Sequence, residues 1–378
     1  MKTRTVSGLQ YATLLFSVVL VYKVMTLPAL ISEHAGNEAW LSVLMLTAIE
    51  LFEGLAVVKI SLEGGWNSFS KKLPKAVFIV FTVSVIVVTV AKLTVFVSEV
   101  ISFIVTHLFY DIPPYVAVTL FLLAVLYISL KGDRALGRLA EIAIWFVPVI
   151  FVLGLTFGQN ALDFGRLLPI GADGARPSFL GLDGAFFWSA NLMPLMFLSL
   201  KPEALDSRKA EASDSHKQGG KKEAKPTAEK SNNKPHKAIA VGATLSLLVT
   251  VAVFVVFTAN YGAAAPFMDN AFSRLASFNV VSTEIGSIDW AGLSVWLVMC
   301  VLSASVAIHA SVTAGEAFNV KRAPTAIAVT LLTGLLVAFV FFNLKTATDF
   351  ARSWVRYLTL GLALIIPYAT LILGGADK

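Results

Sequence analysis

Ten long apolar stretches run through this chain, and they are interrupted once by a long polar stretch, 201–236, which follows the sixth. About 20 mainly apolar residues cover the hydrocarbon of a bilayer, so the pattern prescribes lipid as the solvent for most of the fold. Composition agrees. Hydrophobic residues make up 57% of the chain, charged residues 14%, and mean hydropathy is +0.77, whereas a soluble domain carries about 25% charged residues. The expected spans are 8–31, 39–61, 76–108, 113–131, 137–158, 182–200, 237–260, 287–319, 323–344 and 352–374. The fold class is therefore an all-α polytopic membrane protein. One integral domain is expected, with residues 1–200 holding the first six spans, 201–236 a disordered loop, and 237–378 the last four. The first apolar run is too long for a cleaved signal region and lacks a small-residue cleavage site, which makes it a retained span.

The net charge of +6 is not a nucleic-acid signature. With the N-terminus in the cytoplasm, most Lys and Arg residues fall in cytoplasmic loops, even when 201–236 is left out, and the positive-inside rule then places both termini there. Residues 201–236 have no aromatic side chain and are rich in Lys, Ser, Ala, Gly, Asn and Pro. Such a segment buries too little apolar area to fold alone. It is a solvated linker or a contact for anionic lipid headgroups or a partner.

The third and eighth spans are unusually long, and the first and sixth carry interior prolines, Pro28 and Pro194, beside polar clusters. A proline frees a backbone carbonyl, which lipid tolerates only beside protein or a cavity. The same features recur five spans apart. This points to a 5+5 inverted repeat with broken helices 1 and 6 and a binding site at the breaks; ordinary kinks are the alternative.

Ionisable residues within spans are costly and usually functional. Here they are Lys23, Glu50, Glu53, Lys92, Glu99 and His309, while Lys59, Glu141 and Glu316 lie near span ends and can snorkel. Glu50 and Glu53 share a helix face, as do Lys92 and Glu99. The depths of Lys23, Glu50 and Glu99, each about 12–17 Å from the outer end at 1.5 Å per residue, match closely enough for charge pairing among these five residues. Lys23 faces either a ligand carboxylate or a structural carboxylate partner. The candidate ligand-binding set, taken from the helix breaks and depths, is Tyr22, Lys23, Glu99, Trp188, Ser189, Asn191 and Ser305. His309 lies among Ser303, Ser305, Ser311 and Thr313 and reads as an interhelical hydrogen-bonding residue. The chain has no phosphate loop, no nucleophile elbow and no metal-ligand spacing, and its single cysteine, Cys300, forms no intramolecular disulfide. No catalytic role, metal or cofactor is expected.

The stretch Leu27-Pro28 followed by Glu33-His34-Ala35-Gly36-Asn37-Glu38-Ala39-Trp40-Leu41-Ser42 resembles a signature of the endospore germination permeases. These are the B subunits of Ger-type nutrient germinant receptors in the amino acid–polyamine–organocation superfamily. Other segments fit in order: Glu99 with Tyr110-Asp111-Ile112-Pro113-Pro114, Arg138 to Ile142, Asp163 to Pro169, and Ile285 to Asp289. The resemblance implies a ten-span fold of the leucine-transporter type. It also implies nutrient sensing, commonly of amino acids, in the inner spore membrane, together with an A subunit and a lipoprotein C subunit. The chain departs from the pattern at Val21-Tyr22-Lys23, where similar proteins carry small residues, and in its long loop after span 6. The expected function is a receptor subunit that binds a small nutrient and signals to partners. The alternatives are a stand-alone proton-coupled amino-acid transporter, with Glu99 or Glu53 as proton site, and a scaffold subunit whose pocket has closed around Lys23.

Overall fold

A computed structural model describes residues 5–69, 72–109, 111–157, 162–172, 174–189, 191–200, 235–269, 271, 275, 282–283, 286–287, 289–339 and 343–375. The expected disorder of 201–236 lies outside the described residues except at its last two positions. The helices, in chain order, are α1 Gly8–Val21, α2 Leu27–Ala35, α3 Ala39–Leu62, α4 Trp66–Phe69, α5 Lys75–Phe103, α6 Pro114–Lys131, α7 Asp133–Phe157, α8 Arg176–Ala185, α9 Pro235–Tyr261, α10 Asp289–Glu316, α11 Arg322–Phe339, α12 Leu344–Arg352 and α13 Val355–Gly375. A hairpin of two two-residue strands, Ser282–Thr283 with Gly286–Ser287, precedes α10.

Among the described residues seven helical stretches are long and apolar enough to cross a membrane: Leu27–Leu62, Lys75–Leu108, Pro114–Lys131, His236–Phe267, Trp296–Glu316, Arg322–Phe339 and Val355–Gly374. The difference from ten continuous spans has a local cause. The expected first span divides into α1 and α2, and α2 runs through a short 3₁₀ turn, Gly36–Glu38, into α3. The expected sixth span divides into α8, a 3₁₀ turn at Phe186–Trp188 and another at Met193–Phe197. The expected fifth span falls within α7, whose side chains from residue 146 onward are outside the described set.

At α1, Ser7 Oγ accepts from the Gln10 amide while Gln10 Oε1 accepts from the Ser7 amide, a reciprocal cap. Gln10 Nε2 also donates to Glu141 on α7 at 2.7 Å, which ties the start of α1 to α7. α1 packs mainly on α9 and α7, α2 packs on α8, and α10 lies between α5, α6, α7 and α11. The α10 window is 83% buried, which marks it as the interior helix of the bundle.

Small residues set two close crossings. At Gly181 on α8, a Cβ would lie 2.8 Å from the Ala35 Cβ. At Gly242 on α9, it would lie 2.8 Å from the Ala12 carbonyl oxygen, which is backbone and cannot move aside. Gly242→Val is therefore expected to push α1 and α9 apart and to cost about 1–3 kcal/mol, seen as a lower melting temperature of the detergent-purified protein. A melting temperature equal to wild type would show that the crossing has slack.

Candidate functional site

α1 stops at Val21, and the chain turns through Tyr22–Thr26 before α2 starts at Leu27. Pro28 sits in the first turn of α2, where a missing N–H removes no hydrogen bond. It therefore starts the second half-helix instead of kinking one continuous helix. Pro194 has the same place in the turn Met193–Phe197. Both breaks face α3 and α5, whose intramembrane charges connect them.

Glu50 on α3 joins the two breaks. Its Oε2 forms a fully buried ion pair with Lys23, and its Oε1 accepts from the Asn191 backbone N–H at 3.1 Å. Glu99 on α5 does the same from the other side. Its Oε1 accepts from the Thr26 hydroxyl and from Trp188 Nε1, the latter at 3.0 Å. Two turns earlier on α5, the Lys92 ammonium donates to the Phe187 carbonyl at 2.7 Å, to the Ser189 carbonyl, and to Asn191 Oδ1 at 2.8 Å. Asn191 Nδ2 donates to the Trp188 carbonyl at 2.7 Å. An ammonium has three donors, and Lys92 spends all three where the sixth span unwinds, two on backbone carbonyls and one on the Asn191 side-chain amide.

Of the expected pairs, Lys23 with Glu50 is present. Lys92 and Glu99 share α5 but serve different partners. Glu53 is buried one turn from Glu50, and among the described residues it has no ion pair and neither of its oxygens has a hydrogen-bond partner. Glu99 Oε2 has no hydrogen-bond partner among the described residues. The buried cluster thus contains two ammonium groups and three carboxyl groups.

A small cavity of about 10 Å³ lies against the breaks, lined by Tyr22, Lys92, Asn191, Pro194 and Ser303 among others. That is room for about one water molecule, so the pocket between the breaks is closed. The Tyr22 ring fills part of it and packs on Phe96 with centroids 4.3 Å apart. Tyr22, Lys23, Glu99, Trp188, Ser189 and Asn191 are therefore brought together. Ser305 is not. Its hydroxyl donates to the Val301 carbonyl at 2.6 Å and lies 3.4 Å from the Val125 carbonyl, between α10 and α6. Ser303 faces the cavity instead, because two residues along a helix rotate the side chain by about 200°. The Oγ of Ser303 and the Oγ1 of Thr89 on α5 are both buried without a partner among the described residues. Sequence reasoning missed Thr26, Thr89 and Ser303. Thr26 carried a signal, since it immediately precedes the helix start at Leu27-Pro28.

His309 belongs to a separate cluster at the end of α10. Its Nε2 lies 2.6 Å from Asp133 Oδ1, and Arg322 donates to its Nδ1 at 2.8 Å and to the Ser129 carbonyl at 3.1 Å. Arginine only donates, so Nδ1 accepts and the ring proton sits on Nε2, facing Asp133. The interhelical reading of His309 matches this geometry. On the other side of the bundle, Glu33 pairs with Arg352 at 2.5 Å, and Asp183 pairs with Arg356 at 2.6 Å and accepts from Tyr357 at 2.8 Å. α2 and α8 are in this way held to α12 and α13.

The model of a family described as spore germination protein matches residues 5–202, just over half of the chain and the part that contains both breaks, Glu50, Lys92 and Glu99. The chain belongs to the spore germination protein family. Among curated proteins no match is found. Two crystal structures of variants of the Eremococcus coleocola manganese transporter are similar to this spore germination protein. Each superposes with a TM-score of 0.50 at 13% sequence identity, covering 96% of this chain and 77% of the transporter. At that identity the likeness is one of fold. The spore germination protein is thus an integral membrane protein of transporter-like fold. Among its described residues no group of three His, Cys, Asp or Glu side chains is placed to hold a metal ion.

Proposed function

We propose that this protein is the B subunit of a nutrient germinant receptor, and that a small amino-acid-like germinant binds between the two helix breaks. The observation that carries this reading is the leftover carboxyl. Glu99 touches both breaks through one oxygen, while its other oxygen is buried without a partner among the described residues. Net charge is costly in a low-dielectric site, and a ligand ammonium on Glu99 Oε2 balances the cluster. Tyr22 and Asn191 line the small cavity beside the breaks, and the hydroxyls of Thr89 and Ser303, which line it too and have no partner among the described residues, are available to a ligand carboxylate. Lys23, already paired with Glu50, acts as a structural tie between α1 and α3 in this reading.

Binding needs room that the closed cavity lacks, so α2 and α8 must separate from their neighbours, and this movement is the signal passed to an A subunit and a lipoprotein C subunit. Two five-helix halves in inverted repeat account for breaks five spans apart and for the long helices α5 and α10. The positive-inside bias of the loops supports a cytoplasmic position for the termini and for 201–236, and the germinant reading puts the protein in the inner spore membrane. The leftover carboxyl also favours the second reading, a stand-alone proton-coupled amino-acid transporter.

Spores carrying Glu99→Gln, challenged with a panel of the common amino acids, test this reading. With the protein present at wild-type level, the half-maximal germinant concentration is expected to rise about 100-fold, the loss of one charged hydrogen bond worth roughly 3 kcal/mol. A response indistinguishable from wild type would remove Glu99 from the site. Concentrative amino-acid uptake by the purified chain in vesicles, driven by a proton gradient and lost in Glu99→Gln, would establish the transporter instead.

A further inference from the structure

A second cleft, of about 590 Å³, lies between α1, α3 and α9. Its floor is Leu15, Gly54 and Leu192, its walls include Val58 and Ile239, and its rim carries Lys59 and His236. It opens outward between Leu55 on α3, which is 67% exposed, and the exposed Ala240 and Thr244 on α9. Side chains of that kind at mid-helix face hydrocarbon, so this mouth opens to lipid. Lys59 and His236 are exposed at the helix ends, and neither has a protein partner among the described residues. From Lys59 to Leu51 the cleft follows α3 for roughly 12 Å at 1.5 Å per residue, close to the depth of one leaflet's acyl region, about 15 Å. By contrast, the apolar groove of about 400 Å³ between α6 and α11 has no charged lining residue.

We infer that the α1–α3–α9 cleft binds an anionic phospholipid from the leaflet that Lys59 and His236 face. One acyl chain fills the apolar cleft, and the phosphate meets the Lys59 ammonium and the His236 ring N–H. The floor gives the site a consequence. Leu192 reaches so close to α3 that a Cβ at Gly54 would lie 2.9 Å from its Cδ1. The next residue back, Asn191, holds Glu50 and Lys92 at the break in the sixth span. An acyl chain against Leu192 therefore supports the unwound segment from behind, whichever ligand the break itself takes. The inference does not rest on the germinant reading.

Native mass spectrometry of the purified full-length protein, titrated with phosphatidylglycerol or with phosphatidylcholine of identical acyl chains, tests it. Wild type is expected to bind phosphatidylglycerol about tenfold more tightly, which is about 1.4 kcal/mol, of the order of one lysine near an anionic headgroup with a smaller share from the histidine. Lys59→Gln/His236→Gln is expected to remove the preference while retaining binding. Ala240→Trp fills the cleft from an outward-facing position and is expected to weaken both lipids several-fold; Thr244→Trp on the same face serves if that variant is poorly folded. Leu331→Trp, in the α6–α11 groove, is expected to change neither affinity. Equal affinities in wild type, or a preference that survives the double substitution, would overturn the assignment. So would displacement of the lipid by excess glycerol phosphate, which would mean a free-phosphate site. A dimer abolished by Ala240→Trp would put a second copy of the chain in the cleft and would equally overturn it.

Discussion

Lys92→Met is expected to lower the stability of the detergent-purified protein by about 3–5 kcal/mol, enough to remove most of a typical margin. The substitution preserves length and apolar volume but leaves the Phe187 and Ser189 carbonyls and Asn191 Oδ1 without their donor. Each buried acceptor left unpaired costs roughly 1–3 kcal/mol, and relaxation of the Asn191 side chain recovers part of the sum. The loss is local in origin. The region from Phe186 to Phe197 cannot satisfy its own backbone, because it is two short 3₁₀ turns around an irregular stretch. Thermal unfolding followed by circular dichroism measures the effect. A shift within that expected of an exposed substitution, about 0.5 kcal/mol, would mean that Lys92 is held in the site for a ligand and not for the helix break.

The second large effect is expected at Lys23, and its diagnostic is reversal. Lys23→Met alone strands the Glu50 carboxylate at zero exposure and is expected to cost about 3–5 kcal/mol. Lys23→Met/Glu50→Gln removes both charges yet keeps an acceptor for the Asn191 amide, and is expected to return within about 1 kcal/mol of wild type. Recovery of stability together with a normal germinant response would make the pair a structural tie. Recovery of stability with loss of response would restore Lys23 to the ligand-binding set. Failure to recover would mean that the pair also fixes the geometry of the first break.

The helices were legible where the chain is uniformly apolar. The expected third and eighth spans, 76–108 and 287–319, coincide closely with Lys75–Leu108 and with Asp289–Glu316, since a long apolar run in lipid has no other way to satisfy its backbone. The breaks were legible as positions but not as structures. Pro28 and Pro194 marked them, yet the turns fall before each proline, because proline is most comfortable in the first turn of a helix. Charge pairing was half legible. Depth left Lys23 with Glu50 or Glu99, and only the packing selects Glu50; Lys92 and Glu99, which share one face of their helix, each turn to the unwound segment of the sixth span. Free carbonyls and an indole N–H are available there, and hydropathy carries no trace of them. Ser303 and Ser305 lie two residues apart on one turn of α10, on opposite faces, and only the packing of α10 against α5 and α6 decides which one meets the cavity.

The sequence by itself determined the solvent, the helical class, the places where two helices break and the short roster of charges that lipid forces into the interior. Each follows from a penalty that one residue type carries alone, whatever its neighbours: an unpaired amide in hydrocarbon, a proline in mid-helix, a buried charge. Tertiary structure decided which charge meets which partner, that Glu50 and Glu99 each join both breaks, and that the space between the breaks is closed to about 10 Å³. Those outcomes depend on the rotation and spacing of packed helices, where a displacement of one residue turns a side chain by about 100° and exchanges one partner for another.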